Sequence, residues 1–189
     1  EIEAVRDFCN LPERYYLYAG TIEPRKNVAR IVRAWERIAD ESDAGLVIAG
    51  RDGWKTSDVY DAIRQSNHQS RIHRIGFVDD ENLPVLLSGA LAFAWPSLCE
   101  GFGLPPLEAM ACGAPVITSN VSSLPEVVGE AALTLDPTDI NALADAMLRV
   151  AKDDALRDDL RQAGLDRACR FTWDRTAQMT LESYRAALG

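Results

Sequence analysis

Six short apolar runs, separated by longer segments of helical period, constrain this chain more than any other feature of it. The runs are Tyr15-Tyr16-Leu17-Tyr18-Ala19, Leu46-Val47-Ile48-Ala49, Ile72 to Ile75, Leu91-Ala92-Phe93-Ala94, Pro115-Val116-Ile117-Thr118 and Ala132-Leu133-Thr134-Leu135. Each has the length of a buried strand and is bounded by Gly, Pro, Asp or Ser. Between the first two, Val28, Ile31, Val32, Trp35, Ile38 and Ala39 repeat at the spacing of one apolar helix face. Ile140, Leu143, Ala144, Met147, Leu148 and Ala151 do the same further on. Alternation of strand and helix through six strands demands right-handed crossovers, and hence a parallel sheet with helices on both faces. The expected fold is therefore α/β: a doubly wound, Rossmann-like parallel sheet of about six strands with a helical C-terminal extension.

After about residue 138 the pattern is helical only: Asp139 to Ala151, Asp154 to Arg170, and Trp173 to Leu188. The last segment carries Ala177, Leu181, Tyr184 and Leu188 on one face, headed by Trp173, and such a face calls for a partner surface. The opening Glu1-Ile2-Glu3-Ala4-Val5-Arg6-Asp7 has no initiator Met, cationic segment or apolar segment of a signal peptide, which suggests a piece of something longer.

Composition narrows the partners. With 20 Lys and Arg against 29 Asp and Glu, the 189 residues carry a net charge of −9. Sequence-independent binding to a nucleic acid polymer or an anionic lipid surface rests on an excess of cations, which is missing here. No apolar run approaches the ~18 residues needed to cross a bilayer. Cys9, Cys99, Cys112 and Cys169 form no Cys-x-x-Cys pair, so buried reduced thiols in a cytoplasmic protein are expected and a structural zinc site is not. His68 and His73 have no metal-ligand spacing and receive no role.

In a doubly wound sheet, ligands bind beyond the carboxyl ends of the strands. The densest constellation there is Ser97 to Gly113, in which Glu100-Gly101-Phe102-Gly103-Leu104-Pro105-Pro106-Leu107-Glu108 joins a strand to a helix. Its glycines admit close backbone approach, and a helix start offers unpaired N–H groups to an anion. Glu100 and Glu108 bracket that start, and a carboxylate there can accept hydroxyl hydrogen bonds from a sugar or ribose. The plainer alternative is a helix whose acidic residues merely favour its dipole. A second constellation, Gly20-Thr21-Ile22-Glu23-Pro24-Arg25-Lys26-Asn27, sets adjacent cations after the first strand, where they suit a departing diphosphate; solvated turn residues are the alternative. In the third, Gly76-Phe77-Val78-Asp79-Asp80, backbone groups can meet a base edge and a carboxylate can accept from guanine. Equally, Asp79 or Asp80 can cap the helix bearing Leu83, Leu86 and Leu87.

Together these segments resemble the retaining glycosyltransferases of family 4, the group 1 glycosyltransferases of GT-B fold. Glu100-x7-Glu108 is similar to that family's Glu-x7-Glu signature, and Gly20 to Asn27, Gly76 to Val78, Ser123-Leu-Pro-Glu-Val-Val-Gly129 and Phe171-Thr-Trp173 follow in the family's order. The resemblance covers about residues 15 to 188 and implies the C-terminal, nucleotide-sugar-binding domain of a two-domain enzyme. It implies residues 1–14 as an interdomain linker remnant, 15–172 as the donor domain and 173–189 as a helix packing toward an N-terminal acceptor domain. Carried over by position, Glu100 would meet the donor sugar, Glu108 the ribose, and Arg25 and Lys26 the diphosphate, with Gly20 and the backbone of Phe102, Gly103 and Leu104. Phe77, Val78 and Asp80 would flank the base. Thr21 stands where many members have Arg, so Arg25 would replace that cation. The Glu-Pro-Arg-Lys-Asn variant resembles a subgroup rich in mannosyltransferases of surface polysaccharides. The implied reaction is hexose transfer with retention, best guessed as mannose from GDP-mannose, with UDP-linked donors the other choice. No metal or other cofactor is expected, since no Asp-x-Asp lies on the rim. Any peripheral membrane contact would fall to the other domain, and a donor-binding module without chemistry, a phosphorylase or an epimerase are the competing readings.

Overall fold

The computed structural model describes residues 11–188. Six strands, β1 (Tyr15–Ala19), β2 (Gly45–Ala49), β3 (Ile72–Gly76), β4 (Ala92–Trp95), β5 (Val116–Ser119) and β6 (Leu133–Leu135), form one sheet in the order β3-β2-β1-β4-β5-β6. Every pairing is parallel. The helices are α1 (Val28–Ile38), α2 (Ser57–Gln65), α3 (Leu83–Gly89), α4 (Leu104–Ala111), α5 (Leu124–Val128), α6 (Ile140–Lys152), α7 (Asp154–Ala168) and α8 (Trp173–Leu188). The doubly wound, Rossmann-like sheet expected from the apolar runs is present.

Strand β1 lies at the centre, with its first four residues buried between two helical layers. Its tyrosines mark those layers, because successive side chains of a strand point to opposite faces. The Tyr15 hydroxyl donates to the Leu86 carbonyl on α3 at 2.8 Å, and the Tyr16 hydroxyl donates to the Met147 carbonyl on α6 at 2.8 Å. Helix α1 packs between α2 and α6 on one face, while α4 packs against α3 and α7 on the other. Val28, Ile31, Val32, Trp35 and Ile38 are all buried along α1, as their spacing predicts. Burying such side chains contributes about 1.5–3 kcal/mol each. Asp139 caps α6 by accepting from the N–H groups of Asn141 and Ala142 at 2.9 and 3.0 Å.

One expectation changes. Cys99 and Cys169 are exposed free thiols and Cys112 is half-buried, because each lies in a loop or at a helix end rather than on an inward strand face. Cys9 and most of the 1–14 segment fall outside the described residues. Within that segment Leu11 packs against the core, and Arg14 pairs with Asp43 and donates to the Ala151 carbonyl. Helix α8 buries none of its residues; Trp173 is 88% exposed and Leu188 is 90% exposed. Among the described residues, no helix is long and apolar enough to cross a membrane.

Candidate functional site

Strands β1 and β4 are neighbours without being consecutive. Their following loops turn to opposite faces and leave a crevice between them, the usual ligand site of a doubly wound sheet. Pro24–Lys26 forms a single 3-10 turn there. The Arg25 carbonyl accepts from the Leu98 N–H at 2.9 Å and the Ser97 hydroxyl at 3.1 Å, which ties the loop after β1 to the loop after β4. Asn27 completes the tie. Held left-handed at φ 64°, a conformation asparagine tolerates, it donates its buried amide to the Pro96 and Pro137 carbonyls at 2.9 and 2.8 Å. Its side chain therefore joins three strand ends, and makes no capping bond to α1.

Glu100 is the hub of the crevice. Its Oε1 accepts from Lys26 Nζ at 2.7 Å and from the Trp95 indole at 3.0 Å, while Oε2 accepts from Arg25 at 2.7 Å. Arg25 also pairs with Glu23 at 2.7 Å, and the Lys26 ammonium sits 4.4 Å from the centre of the Trp95 ring. Trp95 is fixed in turn by stacking on Tyr18 at 5.2 Å and Phe93 at 5.7 Å. Burial by itself would raise the Glu100 pKa, but the hydrogen bond from Lys26, others including that from Arg25, and the Lys26 charge bring it below the ordinary carboxylate value. Arg25 answers in kind: burial works against its charge, and the hydrogen bond and charge of Glu100 outweigh that and raise its pKa. The two cations thus face two carboxylates, so the local cationic spot expected from Arg25 and Lys26 is neutralised from within.

The start of α4 adjoins this hub. Gly103 has φ 121°, which favours glycine at this turn, and a Cβ there would come within 2.9 Å of Leu124 Cδ2 at the start of α5. Pro105 and Pro106 have no N–H, leaving the donors to Phe102, Gly103 and Leu104, whose N–H groups donate to no backbone carbonyl among the described residues. The loop after β5 braces the assembly: the Glu100 N–H donates to Ser122 Oγ at 3.1 Å, and Ser123 Oγ donates to the Glu100 and Phe102 carbonyls at 3.0 and 2.5 Å. Phe102 meets Phe171 edge to face at 6.0 Å. Glu108 is exposed in the middle of α4 and has no ion pair among the described residues.

Beside the hub lies a cleft of about 410 Å³ lined by Gly20, Thr21, Arg51, Phe77, Val78, Asp80 and Leu83 among others. It gathers the predicted base-side residues. Neither aspartate caps α3, whose N-cap is Asn82; Asp79 closes the turn before it, accepting from the Asn82 N–H and side-chain amide at 3.0 and 2.8 Å, and Asp80 is left exposed. The structure thus brings Arg25, Lys26 and Glu100 into direct contact and gathers Gly20, Phe77, Val78 and Asp80 around one cleft. Trp95, Asn27, Ser122 and Arg51 escape sequence reasoning. Trp95 reads as a core strand residue, and only its place at the end of a run hinted at more. Among the described residues, no three His, Cys, Asp or Glu side chains group as metal ligands would.

A doubly wound sheet whose switch point holds two cations, a buried carboxylate and a helix start belongs to the class of α/β domains whose ligand crevice lies beyond the carboxyl ends of the strands. The family model for "Glycosyl transferases group 1" matches residues 5–167, and the chain belongs to that family. It is 40% identical over 173 residues to O-antigen chain mannosyltransferase B of Escherichia coli, covering 90% of this chain and 45% of that protein. Sucrose-phosphate synthase from Thermosynechococcus elongatus superposes with a TM-score of 0.82 at 33% identity, over 98% of this chain and 49% of that one. Anabaena HepE, solved with UDP and glucose, superposes with a TM-score of 0.85 at 19% identity over 98% of this chain and 52% of that one. The chain thus spans about half the length of these relatives or less.

Proposed function

We propose that this chain is the donor-binding half of a retaining mannosyltransferase that uses GDP-mannose, working in polysaccharide or glycoconjugate synthesis. The observation that carries this reading is Glu100, held at the end of β4 by Lys26, Arg25 and Trp95 beside the open N–H groups that precede α4. A diphosphate entering the crevice takes Lys26 and Arg25 as its counterions and the α4 start as a hydrogen-bond donor set. Its growing charge on departure is met by fixed groups, which lowers the barrier without a metal ion. Released from the two cations, the Glu100 carboxylate accepts from the hydroxyls of the sugar. Glu108, on the exposed face of α4, accepts from the ribose. The mannosyltransferase name of the 40%-identical relative supports mannose, and UDP in a fold neighbour supports a nucleoside diphosphate donor.

The acceptor belongs to a preceding N-terminal domain, and the bare face of α8, with Trp173, Leu181, Tyr184 and Leu188, packs toward it. The free thiols Cys99, Cys112 and Cys169 suit a reducing, cytoplasmic compartment. The test is mutational, in the protein that carries both domains. Glu100→Ala and Lys26→Ala should each cut turnover at least about tenfold, near 1.4 kcal/mol in the barrier. Near wild-type turnover by both variants would sink the assignment. Donor binding without transfer by the intact protein would point instead to a non-catalytic module.

A further inference from the structure

We propose that Arg51 selects the base of the donor, reading the O6/N7 edge of guanine while Asp80 accepts from its N1–H and 2-amino group. The inference rests on the nucleotide-sugar reading above and adds to it a residue and a specificity.

The loop that carries Arg51 is built to hold one position. The Gly50 N–H donates to the Gly76 carbonyl at 2.6 Å, the Ile22 N–H donates to the Arg51 carbonyl at 2.9 Å, and the Gly53 N–H donates to the Ile22 carbonyl at 3.0 Å. Asp52 is anchored by the Tyr60 hydroxyl at 2.5 Å and by Arg74 at 3.0 Å. Gly50 has φ 133° and lies so close to Gly20 that a Cβ would run into its carbonyl oxygen. From this fixed base the Arg51 guanidinium lies 4.3 Å from the centre of the Phe77 ring. Phe77 is 60% exposed, and both residues line the cleft with Asp80.

Arg51 differs from Arg25, Arg71 and Arg74. Arg25 pairs with two carboxylates, Arg71 donates to three carbonyls and Arg74 pairs with Asp52. The Arg51 guanidinium makes no hydrogen bond or ion pair among the described residues, so its contact with the Phe77 ring holds its position and leaves its donors open. A planar fork of donors matches two adjacent acceptors, which guanine offers at O6 and N7. Adenine puts an amino donor against the fork, and uracil has no such pair of adjacent acceptors. The exposed Asp80 carboxylate suits the neighbouring N1–H and 2-amino donors of guanine, and the exposed Phe77 ring supplies stacking for any base.

The experiment is an NMR titration of this chain with GDP, IDP, ADP and UDP. The buried core lies wholly within residues 15–160, so the domain encloses its own core. GDP should bind at least about tenfold more tightly than UDP or ADP, the scale of one bidentate base contact. Arg51→Ala should lower GDP and IDP affinity about tenfold each and change UDP by less than about threefold. Arg51→Lys, which keeps the charge and loses the fork, should behave as Arg51→Ala does. Asp80→Asn should weaken GDP more than IDP, which lacks the 2-amino group. Equal losses for GDP and UDP in Arg51→Ala, full rescue by lysine, or a wild-type preference for UDP would overturn guanine selection and leave the donor reading standing. Absence of binding by all four nucleotides would overturn both.

Discussion

Replacing Glu100 by Gln should destabilise the empty domain and at the same time tighten its hold on a diphosphate. The Glu100 side chain is 8% exposed and that of Lys26 is 11% exposed, so their contact at 2.7 Å is close to a buried ion pair. Removing one member of a buried pair typically costs 3–5 kcal/mol, because the other charge is left without its partner. Here the loss is smaller. A glutamine carbonyl at Oε1 still accepts from Lys26 and Trp95, and the Lys26 ammonium keeps the Trp95 ring face, worth about 0.5–2 kcal/mol. At Oε2 the new amide nitrogen faces the Arg25 guanidinium, donor against donor, although Arg25 is 41% exposed and keeps Glu23. The net expectation is a loss of about 2–3 kcal/mol, or roughly 4–12 °C in Tm for a domain of this size.

The ligand effect has the opposite sign. In the wild type an arriving diphosphate must displace Glu100 from Lys26 and Arg25 and then sit beside its charge. Deleting one charge a few ångströms from the diphosphate is worth about 1–4 kcal/mol across the range from water-like to surface-like screening. Pyrophosphate should accordingly bind the variant about tenfold more tightly, and saturating pyrophosphate should recover part of the lost Tm. Thermal unfolding followed by circular dichroism, with and without pyrophosphate, reads both quantities. A Tm within about 1 °C of wild type, or a ligand shift no larger than the wild type's, would refute the argument that Glu100 neutralises the diphosphate site.

Gly50→Ala should be among the most damaging small substitutions, costing on the order of 3 kcal/mol or more. The new Cβ meets the Gly20 backbone at a φ of 133°, and neither side can yield without parting β1 from β2; urea unfolding with a near wild-type midpoint would contradict this. The pH dependence of stability follows from the same hub. Because the folded pKa of Glu100 is depressed, its contribution is fully present above the unfolded value of about 4.3 and is lost as pH falls through the lower folded value. His73, whose pKa burial lowers, adds a loss of the same sign that starts nearer about pH 6.5. The difference between wild type and Glu100→Gln therefore isolates the carboxylate. That difference should shrink in urea unfolding below about pH 4, and a gap that stays constant with pH would count against the ion pair as its cause.

How far the sequence could be read depends on whether a signal is local. The strands were legible because burial on both faces leaves continuous apolar runs, and α1 was legible because Ile31, Val32 and Trp35 mark one face. Arg25, Lys26 and Glu100 were legible as candidates because residues after strand ends reach the ligand rim whatever the strand order. Their pairing was not legible. It depends on β1 lying beside β4, and periodicity carries no information about which strands are neighbours. Asn27 and Ser122 share that dependence, each acting on a group at least 22 residues away in sequence across a junction that only the strand order creates, and Trp95 shares it through its ring contact with Lys26. Net charge misled for a related reason. A chain at −9 with a Lys-Arg pair reads as an acidic surface around one cationic spot, yet Glu23 and Glu100 come back onto those cations. The electrostatics of the empty crevice are therefore those of a nearly neutral cluster. An anionic ligand is drawn there by exchange with Glu100 rather than by a standing positive field, so its affinity should respond more to the geometry of that exchange than to ionic strength.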